Sequence, residues 1–417
     1  MTSESKSKSI LVVGFNARPL AFSLDQAGFE VHVVDFFGDL DLFPHVKDYK
    51  IITKELGADY HSMKGSYGKF LIKYALDLLG EHPQIDYLLI GSGLDDAIED
   101  RETLSTELSG INEGLVSVNN NPETIKKARD LPYLHEMLRT RDLAVPKTIP
   151  LSEFSLDDSP FSYPFILKNS KSSGGMGVIK VNGKADFEFR LRVLDSEGQK
   201  FEDWRVQEYL EGIPVSCTIM SNGKDPRIIS INRQVIGEKF LNAPKEFSYC
   251  GNVVPANLLK QDQKAISDVS LFLAEQLKLK GINGFDYVLR NNHPYLMEIN
   301  PRIPGSIRAS EMALNLNLLD LHVKSFDSEK WPSVQEKLER NKPDSFATKL
   351  IYFAPKEISK EKIKQINAME HVHDKSIPRD NILPKEPVCT ILYGDQTFSD
   401  SYFGALKIVN KIKDKIS

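Results

Sequence analysis

The chain has 417 residues, which is too long for one ordinary hydrophobic core and indicates two to four domains. Hydrophobic residues make up 41% of it and charged residues 27%, which excludes a chain disordered throughout. With 53 basic and 58 acidic residues the formal net charge is −5, which argues against a general binder of nucleic-acid phosphates. A small anionic ligand in a local basic pocket stays compatible with this balance.

The first third of the chain predicts an open parallel sheet covered by helices. Apolar runs typical of buried strands alternate with amphipathic helical spacing at residues 10–13, 17–27, 30–34, 70–79 and 87–90. The first strand is followed by one glycine, Gly14, where a dinucleotide-binding turn needs three, so no nicotinamide site is expected. Asp35, which ends the second strand, is predicted to cap a loop or to face a substrate pocket.

The cysteines and the N-terminus predict a soluble cytoplasmic protein with neither a membrane nor a nucleic-acid partner. Cys217, Cys250 and Cys389 lie far apart and form no CxxC pair, so neither a disulfide framework nor a zinc knuckle is expected. The first apolar run, at residues 10–13, is too short for a signal peptide or a membrane span, and no stretch of about 18 apolar residues occurs in the sequence.

A lysine followed by a glycine-rich loop is the first candidate for chemistry. The apolar strand at residues 164–168 ends in Lys168, and a Ser/Gly-rich segment follows it. Backbone N–H groups of such a loop are able to surround a phosphate, because glycine has no side chain and tolerates unusual dihedral angles. The segment is not a P-loop, since no Gly-Lys-Ser/Thr sequence leads from it into a helix, and a plain hairpin turn is the alternative.

A polar hairpin is the second candidate. Asp286 lies on its first strand, and Glu298 and Asn300 lie two residues apart on its second, so the three side chains are predicted to share one face. Such oxygen ligands suit Mg²⁺, which completes its shell with water and nucleotide phosphates. Arg302 continues the same face if the strand persists, where it would neutralise developing phosphate charge. A solvated sheet face is the alternative.

The order of these motifs resembles the ATP-grasp superfamily. A lysine–glycine loop, a strand with a Glu-Tyr-Leu turn at residues 206–212 and an Asp…Glu-x-Asn-x-Arg hairpin follow one another within residues 116–325. The flanks resemble biotin carboxylase and related ATP-dependent carboligases. The resemblance implies an α/β fold, α+β in the nucleotide clamp, with three parts. These are an N-terminal open parallel α/β domain, the ATP-grasp region with a mobile lid, and a C-terminal β-rich cap, at residues 1–115, 116–325 (lid 155–212) and 326–417.

The resemblance also implies roles for single residues. Lys168 would reach the adenine and the α/β-phosphates and Arg302 would lie near the transferred phosphate, so these two are the expected catalytic residues. The expected metal ligands are Asp286, Glu298 and Asn300. The loop over the β/γ-phosphates would consist of Ser172, Ser173, Gly174, Gly175 and Gly177, and the hinge beside adenine of Gln207, Glu208, Tyr209 and Leu210. The implied cofactors are ATP and Mg²⁺, with Mn²⁺ as a substitute.

Two departures from the superfamily pattern matter. Many relatives have a lysine directly after the aspartate near position 130, whereas Leu131 follows Asp130 here, and the nearby substitutes are Lys126, Lys127 and Arg129. Biotin carboxylase follows its Asn-x-Arg with a stretch that contains a glutamate serving catalysis. Here the residues after Arg302 are Ile-Pro-Gly-Ser, so biotin carboxylation itself is not expected.

The remaining motifs concern the acceptor substrate. Arg233 and Lys239 lie between the nucleotide motifs, in a region that often faces the acceptor in ATP-grasp ligases, and Arg308 follows the hairpin. All three are predicted to bind substrate, with a surface hairpin of scattered charges as the alternative. His371 and His373 have no third ligand near them in sequence, so zinc is not expected there, and Cys250 is expected to be a structural thiol.

The resemblance therefore implies an ATP-dependent ligase acting on small molecules. A carboxylate would attack the γ-phosphate to form an acylphosphate and ADP, and an amine or thiol would then displace phosphate. The alternatives are a carboxylase-like enzyme acting through carboxyphosphate, and an ATP-binding protein without turnover. A homodimer is compatible with the resemblance.

Overall fold

A computed structural model describes residues 7–57, 63, 67–171, 174–378 and 381–417 of the chain. The strands of these residues form one sheet of five strands, one of four and one of eight. Within the described part of the chain, no helix is both long and apolar enough to cross a bilayer.

The N-terminal sheet is parallel throughout, as the alternating pattern predicted. Its strands are β1 (Ser9–Gly14), β2 (Glu30–Asp35), β3 (Asp48–Ile51), β4 (Tyr87–Ile90) and β5 (Val116–Ser117), in the order β3-β2-β1-β4-β5. The helices of this part are α1 (Arg18–Gln26), α2 (Ile52–Leu56), α3 (Tyr67–Glu81) and α4 (Ile98–Ile111). The strand order reverses at β1, so the loops after β1 and β4 form a crevice at the carboxyl edge, where open parallel sheets bind ligands.

Two short helices lead to a small antiparallel sheet. The helices are α5 (Pro122–Arg129), capped by the Asn121 side chain, and α6 (Leu131–Arg139), capped by Asp130. The sheet consists of β6 (Thr148–Pro150), β7 (Phe165–Asn169), β8 (Val178–Val181) and β9 (Trp204–Glu208), in the order β6-β9-β7-β8 and with α7 (Lys184–Ser196) beside it. Its core buries Phe165, Leu167, Val206 and Phe187. Strands β7, β8 and β9 lie within the predicted lid, residues 155–212, whereas β6 precedes it; β7 carries Lys168.

The large sheet contains both the polar hairpin and the C-terminal strands. It is built from β10 (Ile213–Asn222), β11 (Arg227–Ile236), β12 (Tyr249–Val254), β13 (Lys280–Arg290), β14 (His293–Asn300), β15 (Phe346–Phe353), β16 (Val372–His373) and β17 (Pro387–Asp395). The order is β14-β13-β10-β11-β12-β15-β17-β16, so the cap strands extend the sheet of the nucleotide clamp. The helices of this part are α8 (Lys260–Gln276), α9 (Ile307–Leu314), α10 (Leu318–Lys324), α11 (Trp331–Arg340), α12 (Lys360–Asn367) and α13 (Phe398–Ile416).

The two faces of the large sheet differ in chemistry. Helices α8 and α13 pack on one face, which buries apolar residues such as Val215, Phe285 and Leu350. The other face carries polar side chains, among them Asp286. Because side chains alternate along each strand, one face of the sheet packs on helices and the other presents polar side chains that are able to bind ligands.

The packing also joins the predicted domains. One apolar cluster contains Ile10 and Leu20 of the N-terminal sheet region together with Leu319 and Trp331 of the helices that follow the hairpin. Strand β5 belongs to the first sheet although it begins just past residue 115. The division of the chain at residues 115 and 325 stays a prediction.

Candidate active site

Lys168 links the small sheet to the polar hairpin. It lies on β7, and its Nζ donates a hydrogen bond to the Met297 carbonyl on β14 at 2.7 Å. Burial lowers the pKa of Lys168, while Glu298 opposes that shift. The lysine therefore lies where the glycine loop and the hairpin meet, as a phosphate ligand would.

The three predicted metal ligands converge on one face of the hairpin. Asp286 and Glu298 are cross-strand partners, and the Asn300 amide donates to Asp286 Oδ2 at 3.0 Å. On the other side Gln234 Nε2 donates to Asp286 Oδ1 at 2.9 Å. Burial and the adjacent Glu298 carboxylate raise the pKa of Asp286 to about 7.

This donor set fits a divalent cation. Two carboxylates placed side by side repel one another, which is one cause of the raised pKa of Asp286. A cation between them would remove that repulsion, and the oxygen donors are of the kind Mg²⁺ prefers. The assignment of Asp286, Glu298 and Asn300 as metal ligands stays a prediction.

Arg129 occupies the region where the superfamily lysine was missing. Its guanidinium forms an ion pair with Glu298 and a second one with Asp96, with 2.9 Å between Nη2 and Oδ1. Burial disfavours the charge, but Glu298 and Asp96 outweigh it and raise the pKa of Arg129. By contrast, Lys127 pairs with Glu123 on the exposed side of α5, and Lys126 is exposed. Of the three candidates, the structure brings Arg129 to the hairpin.

Arg302 reaches the site by a different path from the one expected. Strand β14 ends at Asn300, so Arg302 does not continue its face and is instead positioned by a turn. Its Nε donates to Asp95 Oδ1 at 2.6 Å, and Nη2 lies 3.4 Å from Asn300 Oδ1. Although burial opposes it, the Arg302 guanidinium holds the pKa of Asp95 below its usual value.

Asp95 and Asp96 were missed by the sequence reasoning. They follow the glycine-rich turn after β4 and therefore lie at the carboxyl edge of the parallel sheet. That position was a usable signal, because ligand-binding residues collect at this edge. Each carboxylate orients one arginine of the site.

A cavity of 460 Å³ opens beside Lys168. The polar and charged side chains that line it include Arg129, His135, Lys168, Arg205, Gln207 and Glu298. Burial lowers the pKa of His135 to about 4, so this imidazole is neutral at physiological pH. The cavity combines basic groups with apolar wall residues such as Leu134 and Ile299, which suits a nucleotide.

The glycine loop lies against the segment before β12. Gly174 and Gly175 have φ values of +62° and +76°, and the Gly174 carbonyl accepts a hydrogen bond from Tyr249 N at 3.2 Å. A Cβ at Gly175 would come within 1.8 Å of the Phe247 carbonyl oxygen, so this contact requires glycine. The Gly177 carbonyl accepts from Asn169 N at 2.8 Å, which closes the loop. Ser172 and Ser173 lie outside the described residues.

The predicted adenine hinge has defined side-chain partners. Gln207 is buried and donates from Nε2 to Thr148 Oγ1 at 3.0 Å, while Glu208 accepts from Lys147 N at 2.8 Å. Lys180 lies over the Tyr209 ring, and Leu210 is buried. The adenine contacts expected of these residues stay a prediction.

The structure brings neither Arg233 nor Lys239 to this site. Gln234 contacts Asp286, so Arg233, one residue earlier on β11, lies on the opposite face and interacts with Tyr402 of α13. Because side chains alternate along a strand, Arg233 does not face this site, and its substrate role stays a prediction. Lys239 is exposed at the start of a short 3-10 helix that packs on the same side as α13.

Arg308 is engaged in structural contacts. It pairs with Glu311 and lies over the Phe22 ring at 4.2 Å, which joins α9 to α1. Its side chain is 22% exposed and therefore accessible to a small molecule. The substrate role of Arg308 stays a prediction. Glu311 itself is buried and accepts from Leu318 N at 2.9 Å.

A row of neutral polar side chains, here called the polar floor, leads away from Asp286 across the sheet. It is formed by Ser216, Asn232, Gln234, Tyr249 and Asn252. Asn252 Nδ2 and Asn232 Nδ2 both lie 3.3 Å from Ser216 Oγ, so the row is held by mutual hydrogen bonds. Lys349, the cross-strand partner of Asn252, continues the row and donates to the Gly305 carbonyl at 2.8 Å.

The polar floor ends near a buried group of charges, here called the aspartate cluster, formed by Arg18, Asp35, Asp39, Asp41 and Asp374. Arg18 Nε donates to Asp374 Oδ1 at 2.8 Å. Asp35 accepts from Ala17 N and Gly38 N, each at 2.6 Å, so it caps a loop as predicted. Burial raises the pKa of Asp35 to about 6.

Comparison with known proteins identifies the fold. Residues 130–306 match the family described as the ATP-grasp domain. This stretch contains Lys168, the glycine loop and the polar hairpin. The chain contains an ATP-grasp domain, as the order of its motifs predicted.

Two relatives cover most of the sequence. An uncharacterised protein of Methanocaldococcus jannaschii is 26% identical over 397 residues, which are 92% of this chain and 87% of that protein. A D-alanine–D-alanine ligase of Petrotoga mobilis is 20% identical over 309 residues, which are 74% of this chain and 88% of the ligase.

Solved structures confirm the fold class. The L-amino acid ligase from Bacillus licheniformis has a TM-score of 0.66 at 17% identity, covering 98% of each chain. Biotin carboxylase from Campylobacter jejuni has a TM-score of 0.69 at 14% identity, covering 95% of this chain and 89% of the carboxylase. The mixed α/β architecture is therefore that of the ATP-grasp fold.

Proposed function

We propose that the protein is an ATP-dependent, ADP-forming ligase that joins a small-molecule carboxylate to an amine. The observation that carries the proposal is the convergence of Lys168, Arg129 and Arg302 on a face that also bears Asp286 and Glu298. Phosphoryl transfer depends on placing cations and metal ligands around the transferred group rather than on a protein nucleophile. The D-alanine–D-alanine ligase and L-amino acid ligase among the similar proteins support the same reaction class.

The reaction would proceed in two balanced steps. A carboxylate oxygen bonds to the γ-phosphorus of ATP while the β–γ bridge breaks, which gives an acylphosphate and ADP. An amine nitrogen then bonds to the acyl carbon, phosphate leaves, and the amine proton passes to solvent or a nearby base. A thiol acceptor would follow the same course.

The chain's own residues would bind, orient and exclude water. Lys168, Arg129 and Arg302 would neutralise the phosphates, and Asp95 would hold Arg302 in place. The glycine loop, held against Phe247 and Tyr249, would keep water away from the acylphosphate. Asp286, Glu298 and Asn300 would hold Mg²⁺, which supplies charge neutralisation at the β/γ-phosphates when bound.

The polar floor and the aspartate cluster are the proposed path of the second substrate. Neutral amides and hydroxyls form hydrogen bonds with substrate groups of either charge. Carboxylates such as Asp39 and Asp374 favour a positively charged ammonium group. The acid would lie nearer Asp286 and the amine nearer Arg18 and Asp374. This arrangement supports small-molecule substrates.

The test is release of ADP and phosphate from Mg-ATP across a panel of carboxylic acids, with and without mixed amines. Hydroxylamine in place of the amine should trap the acylphosphate as a hydroxamate of the acid. Release that requires both an acid and an amine supports the ligase. ADP release without any hydroxamate, across every acid that supports turnover, would contradict the acylphosphate route.

Bicarbonate forms a separate arm of the same experiment. The similar fold of biotin carboxylase favours a carboxyphosphate route, but Ile303, Pro304, Gly305 and Ser306 follow Arg302 where the carboxylase has an acid. Turnover with bicarbonate alone would favour that alternative. Tight ATP binding without turnover on the panel would favour a binding-only protein. The missing lysine after Asp130 suggested one, whereas the position of Arg129 beside Glu298 supports the ligase.

A further inference from the structure

A group of side chains of the kinds that ligate metal ions lies outside the ATP-grasp site. Asp48 begins β3, Glu81 ends α3 and His82 follows it. One ligand atom from each of these three side chains lies within 4.8 Å of the others. His82 Nε2 lies 2.7 Å from Asp48 Oδ2, so imidazole and carboxylate already face one another.

A buried histidine beneath this group has no hydrogen bond. His32 on β2 is the cross-strand partner of Asp48 and has no exposed surface. Neither of its ring nitrogens makes a hydrogen bond, although Glu30 Oε1 lies 3.4 Å from Nε2. Its ring centroid is 4.5 Å from that of His82. A buried imidazole without a hydrogen bond is unfavourable, and this one packs against the ring of His82.

We propose that Asp48, Glu81 and His82 bind a divalent transition metal such as Zn²⁺ or Co²⁺, with the buried His32 ring packed against His82. Imidazole combined with carboxylate oxygen favours these ions over Mg²⁺ or Ca²⁺, which prefer oxygen alone. The metal would tie the start of an edge strand to the end of α3, and it would therefore stabilise the N-terminal sheet rather than take part in ligation.

Lys50 would compete with this metal for the Glu81 carboxylate. Its Nζ lies 2.8 Å from Glu81 Oε1, so the lysine holds one of the three ligands by an ion pair. The Lys50–Glu81 contact would have to break for Glu81 to bind the metal. Removing the lysine should therefore strengthen metal binding, which a structural hydrogen-bond cluster does not predict.

The group is separated from the proposed catalytic centre along the same strands. Asp48 lies at the first residue of β3, whereas Asp35 of the aspartate cluster lies at the last residue of β2 and pairs with Ile51 at the other end of β3. This inference does not depend on the ligase proposal. Variants of His82 and Asp48 are accordingly expected to keep ATP turnover.

The chain offers a matched control. His45 Nδ1 lies 2.8 Å from Asp25 Oδ2, which resembles the His82–Asp48 pair but, among the described residues, has no second carboxylate to complete a group of three. Co²⁺ would be titrated into the full-length protein and followed by its visible absorption, and Zn²⁺ by calorimetry, without nucleotide. The proteins compared are wild type, His82→Ala, Asp48→Asn, His45→Ala and Lys50→Met, each also carrying Glu298→Gln to remove metal bound at the hairpin.

We expect the Glu298→Gln background protein to bind one transition-metal ion per chain. His82→Ala or Asp48→Asn should weaken that binding at least about tenfold, the loss of affinity typical of removing a residue from a metal site. His45→Ala should bind as the background does, and Lys50→Met should bind more tightly. Equal affinity in the background and His82→Ala proteins, with both folded by circular dichroism, would overturn the proposal, as would equal loss in His45→Ala.

Discussion

At the scale of single residues, the site is organised by ion pairs between distant parts of the sequence. Arg129 and Glu298 are 169 positions apart, and Arg302 and Asp95 are 207 apart. Each arginine is largely buried and pairs with carboxylates, Arg129 with Glu298 and Asp96 and Arg302 with Asp95, so its position is set before any ligand arrives. A phosphoryl-transfer site needs such preorganisation, because charged groups that must move during the reaction stabilise its transition state less than groups already in place.

Glu298→Gln should abolish ATP turnover while leaving the fold intact. The change removes one carboxylate charge from the proposed metal site and weakens the pairing with Arg129, at a position whose side chain is 23% exposed. Loss of several kcal/mol of charge stabilisation corresponds to about 10²–10³-fold lower kcat. Phosphate release and a melting curve would be measured together. Near-wild-type turnover would contradict the metal assignment.

Arg129→Ala should raise the KM for ATP by about 10–100-fold, the range expected for losing a charged hydrogen bond. Lys127→Ala is the matched control on the same helix, since Lys127 pairs only with Glu123 at the surface, and it should leave KM unchanged. Arg129→Lys should recover part of the affinity, because the positive charge returns without the forked geometry. An equal effect of the two alanine variants would mean that Arg129 does not contact the nucleotide.

At the scale of secondary-structure elements, the small sheet and the large sheet meet through a loop contact. Lys245 Nζ donates to the Met176 carbonyl at 2.7 Å, and Tyr249 N donates to the Gly174 carbonyl. The sequence predicted the strand that ends in Lys168 and the glycine-rich loop that follows it, because an apolar strand and a glycine-rich turn are local patterns. It did not predict that residues 245–249 receive the loop, since that contact joins separate sheets.

Gly175→Ala should lower kcat more than Gly174→Ala does. Both positions have positive φ, so either alanine costs about 1–2 kcal/mol in backbone strain. Only at Gly175 does the added Cβ meet a backbone oxygen, whereas nothing lies within 4 Å of it at Gly174. We expect at least a further tenfold loss, of the order of 1–3 kcal/mol of added strain, in single-turnover ADP formation. Equal rates in the two variants would contradict closure of the loop against Phe247.

At the scale of the whole molecule, buried histidines connect the parts of the chain. His322 on α10 accepts a hydrogen bond from Ile282 N on β13 at 2.9 Å, so its other nitrogen, Nε2, donates to the Val118 carbonyl at 3.0 Å. Burial lowers the pKa of His322 to about 4, and the ring is neutral in the folded protein. One side chain thus joins the N-terminal sheet region to the large sheet.

The free energy of unfolding should decrease as the pH is lowered below 6.5, the ordinary pKa of histidine. Between that value and about 4 the unfolded chain binds a proton at His322 that the folded chain does not, so the free energy of unfolding decreases as pH falls. Each such histidine contributes at most about 1.4 kcal/mol per pH unit. In urea titrations from pH 7.5 to pH 4.5, His322→Gln should show a shallower decline than wild type. Parallel declines in the two proteins would contradict this account.

The sequence by itself determined the parallel N-terminal sheet, the Lys168 strand, the convergence of Asp286, Glu298 and Asn300, and the ATP-grasp fold. These follow from periodicity along a strand or helix and from ordered motifs, which are properties of short segments. The tertiary structure alone decided that Arg129, rather than Lys126 or Lys127, pairs with Glu298, that Asp95 and Asp96 orient the arginines, and that Arg233 faces away from the site. Such contacts depend on how sheets pack and on the exact register of neighbouring strands, where a shift of one residue reverses the face of every side chain.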